Sequence, residues 1–317
     1  MKDKMRLVFW LNKYVENNSI PKASLSDCLR KRLASYTFEK VSNRKINLND
    51  PKRFSEKIVW YMLFYDNPIL SEIICKVSFK DYVKNKIGSG HTAELYGAWE
   101  DVTQIDWENL PKSFILKSNC SSFGRCIKFV DNKEEVDFDR IKPEINSWLR
   151  NMGLYSYGRG YYKITPKIFA EEIIGDVRQQ PVDYKFFCFD GKPAYCYSAF
   201  EHFSNGKPQS SKIAFYDMEW NQLPVRYKTS EVVSVAKPKH FAEMKKAAEV
   251  LSEGFPFVRV DFYDTEDKFY VGELTFYSGS MFNSFTPDAF DFELGSKFVL
   301  QPKQKFKRIK RKDLIGK

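Results

Sequence analysis

Two stretches near the C-terminal end, Phe257–Tyr263 (FVRVDFY) and Phe269–Phe276 (FYVGELTF), constrain this chain more than any other feature. Both are dominated by β-branched and aromatic residues, which favour strands, yet the first carries charge at alternate positions and the second a single glutamate. Strand side chains point to opposite faces with a period of two, so Val258, Val260 and Phe262 share one face and Arg259 and Asp261 the other. On the second strand Phe269, Val271, Glu273 and Thr275 share a face. Such a hairpin needs a core beneath one side and leaves a charged side for solvent or a ligand. A three- or five-residue loop pairs 261 with 271 and 259 with 273, which sets Asp261 and Glu273 diagonally, roughly 7–8 Å apart at Cα. That spacing suits two carboxylates converging on a hard cation. A four-residue loop sends them to opposite faces, and an ordinary Arg–Glu pair facing solvent satisfies the same residues with no cation.

Three further segments place reactive side chains on strands. In Phe114–Gly124 (FILKSNCSSFG) an apolar strand ends in Lys117, and a loop through Ser121, Ser122 and Gly124 leads into a second strand. Small residues let backbone N–H groups approach a phosphate, and the lysine adds a point charge. The loop lacks GK[ST] and no helix follows, so it is not a Walker loop; taken alone, a plain hairpin turn is the simpler account. Ile168–Ile174 (IFAEEII) ends an apolar strand in Glu171 and Glu172, placed either to receive a base amine or to end the strand in water. Asp183 and Lys185 share one face of DYKFFCF, as a site pair or as a solvated strand start.

Composition excludes several classes. With 43% hydrophobic residues, 28 Phe and 18 Tyr in 317 residues, the chain can bury a sizeable core and is not disordered. No apolar run reaches about 18 residues, so no membrane span is expected. The apolar run at the N-terminus breaks at Asn12 and Lys13 without a small-residue cleavage site, so it is not read as a signal peptide. Six cysteines without a C-x-x-C pair read as reduced thiols of a cytoplasmic protein, and three scattered histidines argue against zinc. The net charge of +10 is uneven, because residues 301–317 hold eight Lys/Arg against one Asp. Such a tail is either a solvated end or a peripheral contact for the anionic inner face of a membrane or an anionic polymer. Nucleic acid is not expected, since Phe306 is the tail's only aromatic and the body shows no basic stripe.

Helical patterns fill residues 1–88, with cap signals at Ser24 or Ser26 and at Gly88. Beyond about 93, strands and hairpin turns dominate, Asp190-Gly191 being the clearest turn. Helices interrupt them over about 134–152 (with Pro143 inside), over 238–253 and from about 288. Mixed helices and hairpins predict an α+β protein with largely antiparallel sheets in two lobes.

In this order the segments resemble the ATP-grasp superfamily, and more narrowly the TupA-like ATP-grasp proteins of teichuronopeptide, capsule and O-antigen gene clusters. The likeness is carried by Pro51–Ile58 (PKRFSEKI), Leu110–Asn119 (LPKSFILKSN), Asp183–Lys192 (DYKFFCFDGK), Arg259–Tyr263 (RVDFY) and Gly272–Phe276 (GELTF). It implies an ATP-grasp fold whose two α+β lobes, 89–175 and 176–302, grip ATP, with a helical N-terminal extension over 1–88 and a basic tail over 303–317. It also implies a magnesium-dependent ligase that turns a carboxylate into an acylphosphate, which an amine then displaces. Carried over position by position, Lys117 and Lys80 would hold the α/β-phosphates under a lid of Ser121, Ser122 and Gly124. Glu171, Glu172 and Ile174 would line the adenine, and Asp183 would take the ribose. Asp261 and Glu273 would bridge Mg²⁺ to the phosphates, with Thr275 a further ligand where many relatives have Asn. Arg259 would stabilise the transferring phosphoryl group, and Lys185 and Lys212 would add phosphate or carboxylate contacts. The family's loop reads closer to K-x-N-H-G-S-G, so Cys120 in place of His puts that residue's role in doubt. The family context suggests a uronic acid of a lipid- or nucleotide-linked sugar as the carboxylate and an amino acid as the amine. Alternatives are a glycosyltransferase using Asp137-Phe-Asp139, which also reads as an acidic helix start, a non-catalytic carbohydrate-binding module, and a small-molecule kinase.

Overall fold

Asp190 and Gly191 adopt positive φ, 49° and 75°, the left-handed pair that lets a two-residue turn follow the twist of its strands. They join β5 (Asp183–Phe189) to β6 (Lys192–Phe200). The computed structural model describes residues 10–11, 13–15, 22, 25–119, 126–149, 156–175, 181–200, 203–204, 207–208, 212–228, 230, 232–279 and 283–304. The sequence-derived loop residues Cys120, Ser121, Ser122 and Gly124, and the tail beyond 304, lie outside them.

Two antiparallel sheets organise the rest. The first joins β1 (Leu95–Trp99), β2 (Phe114–Ser118), β3 (Ile127–Val130) and β4 (Ile168–Glu171) in the order β1-β4-β2-β3. Short strands β7 (Phe203–Ser204) and β8 (Lys207–Pro208) pair with each other. The second sheet adds β9 (Lys212–Tyr216), β10 (Gln222–Leu223), β12 (Phe257–Asp264) and β13 (Phe269–Thr275) to β5 and β6, in the order β10-β9-β6-β5-β12-β13. A two-stranded ladder pairs β11 (Arg226–Tyr227) with β14 (Phe285–Thr286).

Helices α1 (Asp27–Ser42), α2 (Phe54–Phe64), α3 (Leu70–Ile74) and α4 (Phe79–Ile87) precede the first sheet. Ser26 caps α1 by accepting from the Leu29 N–H, and Gly88 ends α4 at φ 92°. Helix α5 (Phe138–Ser147) lies against the four-stranded sheet, where Ile145, Trp148, Phe114 and Leu116 form a core of their own. A larger core joins the N-terminal helices to the six-stranded sheet. Phe54 of α2 meets Phe187 and Phe257 at ring separations of 5.5 and 5.0 Å, while Phe241 of α6 (Phe241–Ser252) packs on Phe186 on the opposite face.

The PKRFSEKI segment docks α2 on α7 (Ala289–Lys297). Glu56 accepts from the backbone N–H groups of Lys52 and Arg53, which closes the first turn. Buried Asp291 accepts from Ser55 N and Oγ at 2.8 and 2.6 Å, Arg53 pairs with Asp288, and Lys57 donates to the last carbonyls of α7. At Gly295 a Cβ would lie 2.0 Å from the Lys52 carbonyl, so only glycine permits that approach.

Candidate active site

The charged hairpin differs from the sequence expectation in an instructive way. Asp264 pairs with Phe269, which leaves the four-residue loop 265–268 that should separate the carboxylates. A β-bulge between Asp261 and Phe262, absorbed on the partner strand at Gly272, shifts the register by one, and Asp261 lies directly across from Glu273. Phe269 and Val271 therefore do not share the face of Glu273 and Thr275; they join Phe262 on the core side. A Cβ on Gly272 would lie 2.7 Å from the Tyr263 ring, so the bulge is fitted to a missing side chain.

Pairing of β12 with β5 and of β5 with β6 brings Lys185 across from Asp261 and Tyr197 across from Lys185. Among the described residues, one face of the sheet thus collects three carboxylates, Asp183, Asp261 and Glu273, and two cations, Lys185 and Arg259, and a third cation, Lys76, reaches Glu273 from the turn before α4. Arg259 holds Asp261 through two bonds, Nε to Oδ1 at 2.6 Å and Nη2 to Oδ2 at 2.5 Å. The same Nη2 reaches Glu273 Oε1 at 2.9 Å and Thr275 Oγ1 at 3.1 Å, so both carboxylates converge on one point. Lys185 donates to Asp183 and, at 2.7 Å, to Asp261.

Burial pushes the Asp261 carboxyl up to about 6, beyond what Arg259 and Lys185 pull down, and it raises Asp183 in the same way. Burial acts on Glu273 too, but Lys76, Arg259 and Lys185 outweigh it and hold it well below the usual carboxylate range. Among the described residues Asp183 Oδ1 is buried with no hydrogen-bond partner. A buried acceptor left unsatisfied is costly, and a cation at this face would relieve it.

A second cluster sits on the four-stranded sheet. Lys117 Nζ and Lys80 Nζ each lie 2.6 Å from an oxygen of Glu171, and Lys80 also donates to the Ala93 carbonyl at 2.7 Å. Burial raises the Glu171 carboxyl, yet the two lysines overcome it and leave it lowered; burial lowers the Lys80 ammonium. Glu171 is thus the counter-ion of the two phosphate-binding candidates. Glu172 accepts from the Glu94 N–H and from the Tyr270 hydroxyl, linking the two sheets. Ile174 is half-buried just beyond.

Lys76 joins the clusters. Its backbone N–H donates to the Asn119 carbonyl at the mouth of the loop, and its ammonium lies 2.9 Å from Glu273 Oε2. No local pattern in the sequence marks Lys76, which lies in the turn between α3 and α4. Asn119 spends its side chain on the backbone of Thr165 and Lys167, so it anchors the loop. Lys212 opens β9 on the sheet face opposite Asp183 and Asp261, and the structure does not bring it into their cluster. Asp137 caps α5 through the Arg140 N–H, and Asp139 pairs with Lys142 at 2.6 Å; this is helix-start chemistry.

Among the described residues no three His, Cys, Asp or Glu groups form a metal cluster. Mg²⁺ commonly takes one or two carboxylates plus phosphate oxygens and water, so the Asp261–Glu273 pair fits it when nucleotide supplies the rest. No helix among the described residues is long and apolar enough to cross a membrane.

A family model described as TupA-like ATPgrasp matches residues 56–299. Comparison with curated proteins finds no match. Among solved structures, a D-alanine–D-alanine ligase from Bacillus anthracis is similar at 16% identity and TM-score 0.40, over 65% of this chain and 58% of that one. The corresponding ligase from Helicobacter pylori is similar at 13% identity and TM-score 0.40, over 74% and 60%. An N5-carboxyaminoimidazole synthetase from Staphylococcus aureus, complexed with ADP, is similar at 14% and 0.39, over 64% and 44%. The chain thus spans less than two thirds of the length of these three structures.

Proposed function

The chain belongs to the TupA-like ATP-grasp family, and on that premise we propose that it is an ATP- and magnesium-dependent ligase joining a carboxylate to an amine. The proposed carboxylate is a uronic acid of a surface polysaccharide or its precursor, and the proposed amine an amino acid. The observation that carries the reading is the balanced cluster of three carboxylates and three cations, with Asp261 and Glu273 meeting at one guanidinium nitrogen. Asp261 and Glu273 would hold a divalent cation, and Arg259, Lys185 and Lys76, then less tied to those carboxylates, would face phosphate oxygens. Lys80 and Lys117, already held side by side on Glu171, supply two further ammonium groups for the nucleotide.

Bound MgATP supplies the γ-phosphoryl group that activates the carboxylate, with ADP leaving and phosphate later displaced by the amine. The chain's own part is positioning and charge neutralisation. Arg259 faces the transferring group, Asp261 and Glu273 orient the cation, and Thr275 holds Glu273 by donating to Oε1 at 2.8 Å. Residues 89–175 and 176–302 form the two gripping lobes, Ser121, Ser122 and Gly124 the lid, and Glu172 and Ile174 the base-facing edge. The basic segment after Gln304 draws the protein to the anionic inner face of a membrane in the cytoplasm.

Calorimetric titration with AMPPNP tests the nucleotide reading: binding that strengthens with Mg²⁺ in the wild type and loses that gain in Glu273→Gln is expected. Equal affinity with and without Mg²⁺ would remove the metal assignment. Mass spectrometry of the surface polysaccharide with and without the protein tests the substrate, and an unchanged amide content would sink it.

A further inference from the structure

Arg259 is held from two sides, and the sides do not survive cation binding equally. Nε and Nη2 rest on Asp261, Glu273 and Thr275, the groups assigned to Mg²⁺. A cation taking those oxygens loosens that grip. Nη1 remains, donating to Ser278 Oγ at 3.2 Å and to the Tyr197 hydroxyl at 3.4 Å.

Ser278 is fully buried, and its backbone is fixed by one side chain: Asn283 Nδ2 donates to the Ser278 carbonyl at 2.8 Å. Asn283 is oriented in turn by Tyr227, whose hydroxyl donates to Oδ1 at 2.6 Å. Both amide ends are used, which fixes which end carries oxygen. The turn is shaped around this amide. Gly279 has φ 63°, and a Cβ there would lie 2.1 Å from Asn283 Oδ1 and 2.5 Å from the Tyr227 hydroxyl. Tyr227 is itself set by the β11–β14 ladder, across from Phe285.

We propose that Asn283 is a positioning residue that keeps the Arg259 guanidinium aimed at the transferring phosphoryl group once the cation has taken Asp261 and Glu273, acting through Ser278 and oriented by Tyr227. The inference rests on the ligase reading above. An error of about 1 Å at such a group costs about a hundredfold in rate, so a remote amide can matter as much as a contact.

The test measures Mg²⁺-dependent affinity for AMPPNP and for ADP, with the exchange rate of the Arg259 Nε–H by ¹⁵N NMR, in Asn283→Ala and in the milder Tyr227→Phe. Arg259→Lys identifies the signal, and a thermal melt accompanies each variant. The preference for AMPPNP over ADP should fall about tenfold in Asn283→Ala and about threefold in Tyr227→Phe, with ADP affinity unchanged. Arg259 Nε–H exchange should quicken by a similar factor when Mg·AMPPNP is bound. A purely structural role moves the melt and leaves the AMPPNP-to-ADP ratio alone; an unchanged ratio and an unchanged exchange rate in both variants overturn the proposal. If the wild type binds neither nucleotide, the ligase reading fails by itself. The Arg259 Nε–H exchange rate in saturating Mg²⁺ alone then decides positioning, a rate unchanged by Asn283→Ala counting against it.

Discussion

Glu171 carries one negative charge between two ammonium groups and is 7% exposed. Removing one partner of a buried ion pair strands the other, so Glu171→Gln should cost about 3 kcal/mol at pH 7. Its folded pKa is lowered, so the stabilisation is complete above its unfolded value and is lost as pH falls through the folded one. The gap between wild type and Glu171→Gln in urea melts should therefore narrow below about pH 4, near the ordinary carboxylate range. A constant gap down to pH 3 would contradict the pairing. Lys117→Ala leaves Glu171 with Lys80 and should cost only about 1 kcal/mol, yet weaken AMPPNP binding about tenfold or more. The two metal candidates should behave differently from each other. Asp261, 1% exposed, also neutralises Arg259 and Lys185, so Asp261→Asn should lose Mg²⁺ dependence together with about 3 kcal/mol of stability. Glu273 is 36% exposed at the open edge, where solvent screens its pairs with Lys76 and Arg259, so Glu273→Gln should lose Mg²⁺ dependence with a smaller loss of stability, about 1 kcal/mol.

At the scale of elements, one extra residue decides the site. Without the bulge at Gly272 the four-residue loop would turn Glu273 into the core and take it away from Asp261 on the charged face. Deleting Gly272 should therefore abolish Mg²⁺-dependent AMPPNP binding. Gly272→Val keeps the register but pushes on the Tyr263 ring, and should cost about 1–3 kcal/mol with Mg²⁺ dependence largely retained. Retained binding in the deletion variant would show that Glu273 is not a ligand. The other decisive element contact is α2 on α7, where Asp291 serves as an N-terminal cap donated by another helix.

Across the whole molecule, the N-terminal helices and the six-stranded sheet share one core, while the four-stranded sheet has its own. The start of the basic segment belongs to the body: Gln304 bonds Phe64 and Asp66 of the α2 end. A chain ending at Gln304 should then melt like the full protein, whereas removal from 303 onward should lower the melt. Sedimentation with anionic vesicles should fall in the shorter chain and with added salt, because exposed charge is screened over about 8 Å at physiological ionic strength. Equal sedimentation would leave the tail a solvated end.

Alternation in FVRVDFY put Arg259 and Asp261 on one face, and Asp190-Gly191, Ser26 and Gly88 marked their turns and caps, because these are local properties of neighbouring residues. The order of segments was likewise enough to indicate the family. Facing of Asp261 and Glu273 was not legible, since register depends on a bulge whose effect appears only when two strands pair. Nor was the PKRFSEKI segment's purpose, which is to meet a helix more than 230 residues later. Lys76 reached Glu273 and Asn283 reached Ser278 only once the sheets and turns had closed. The sequence by itself determined which residues could bear charge and on which strand face; tertiary structure decided which charges meet, because that rests on contacts between segments distant in the chain.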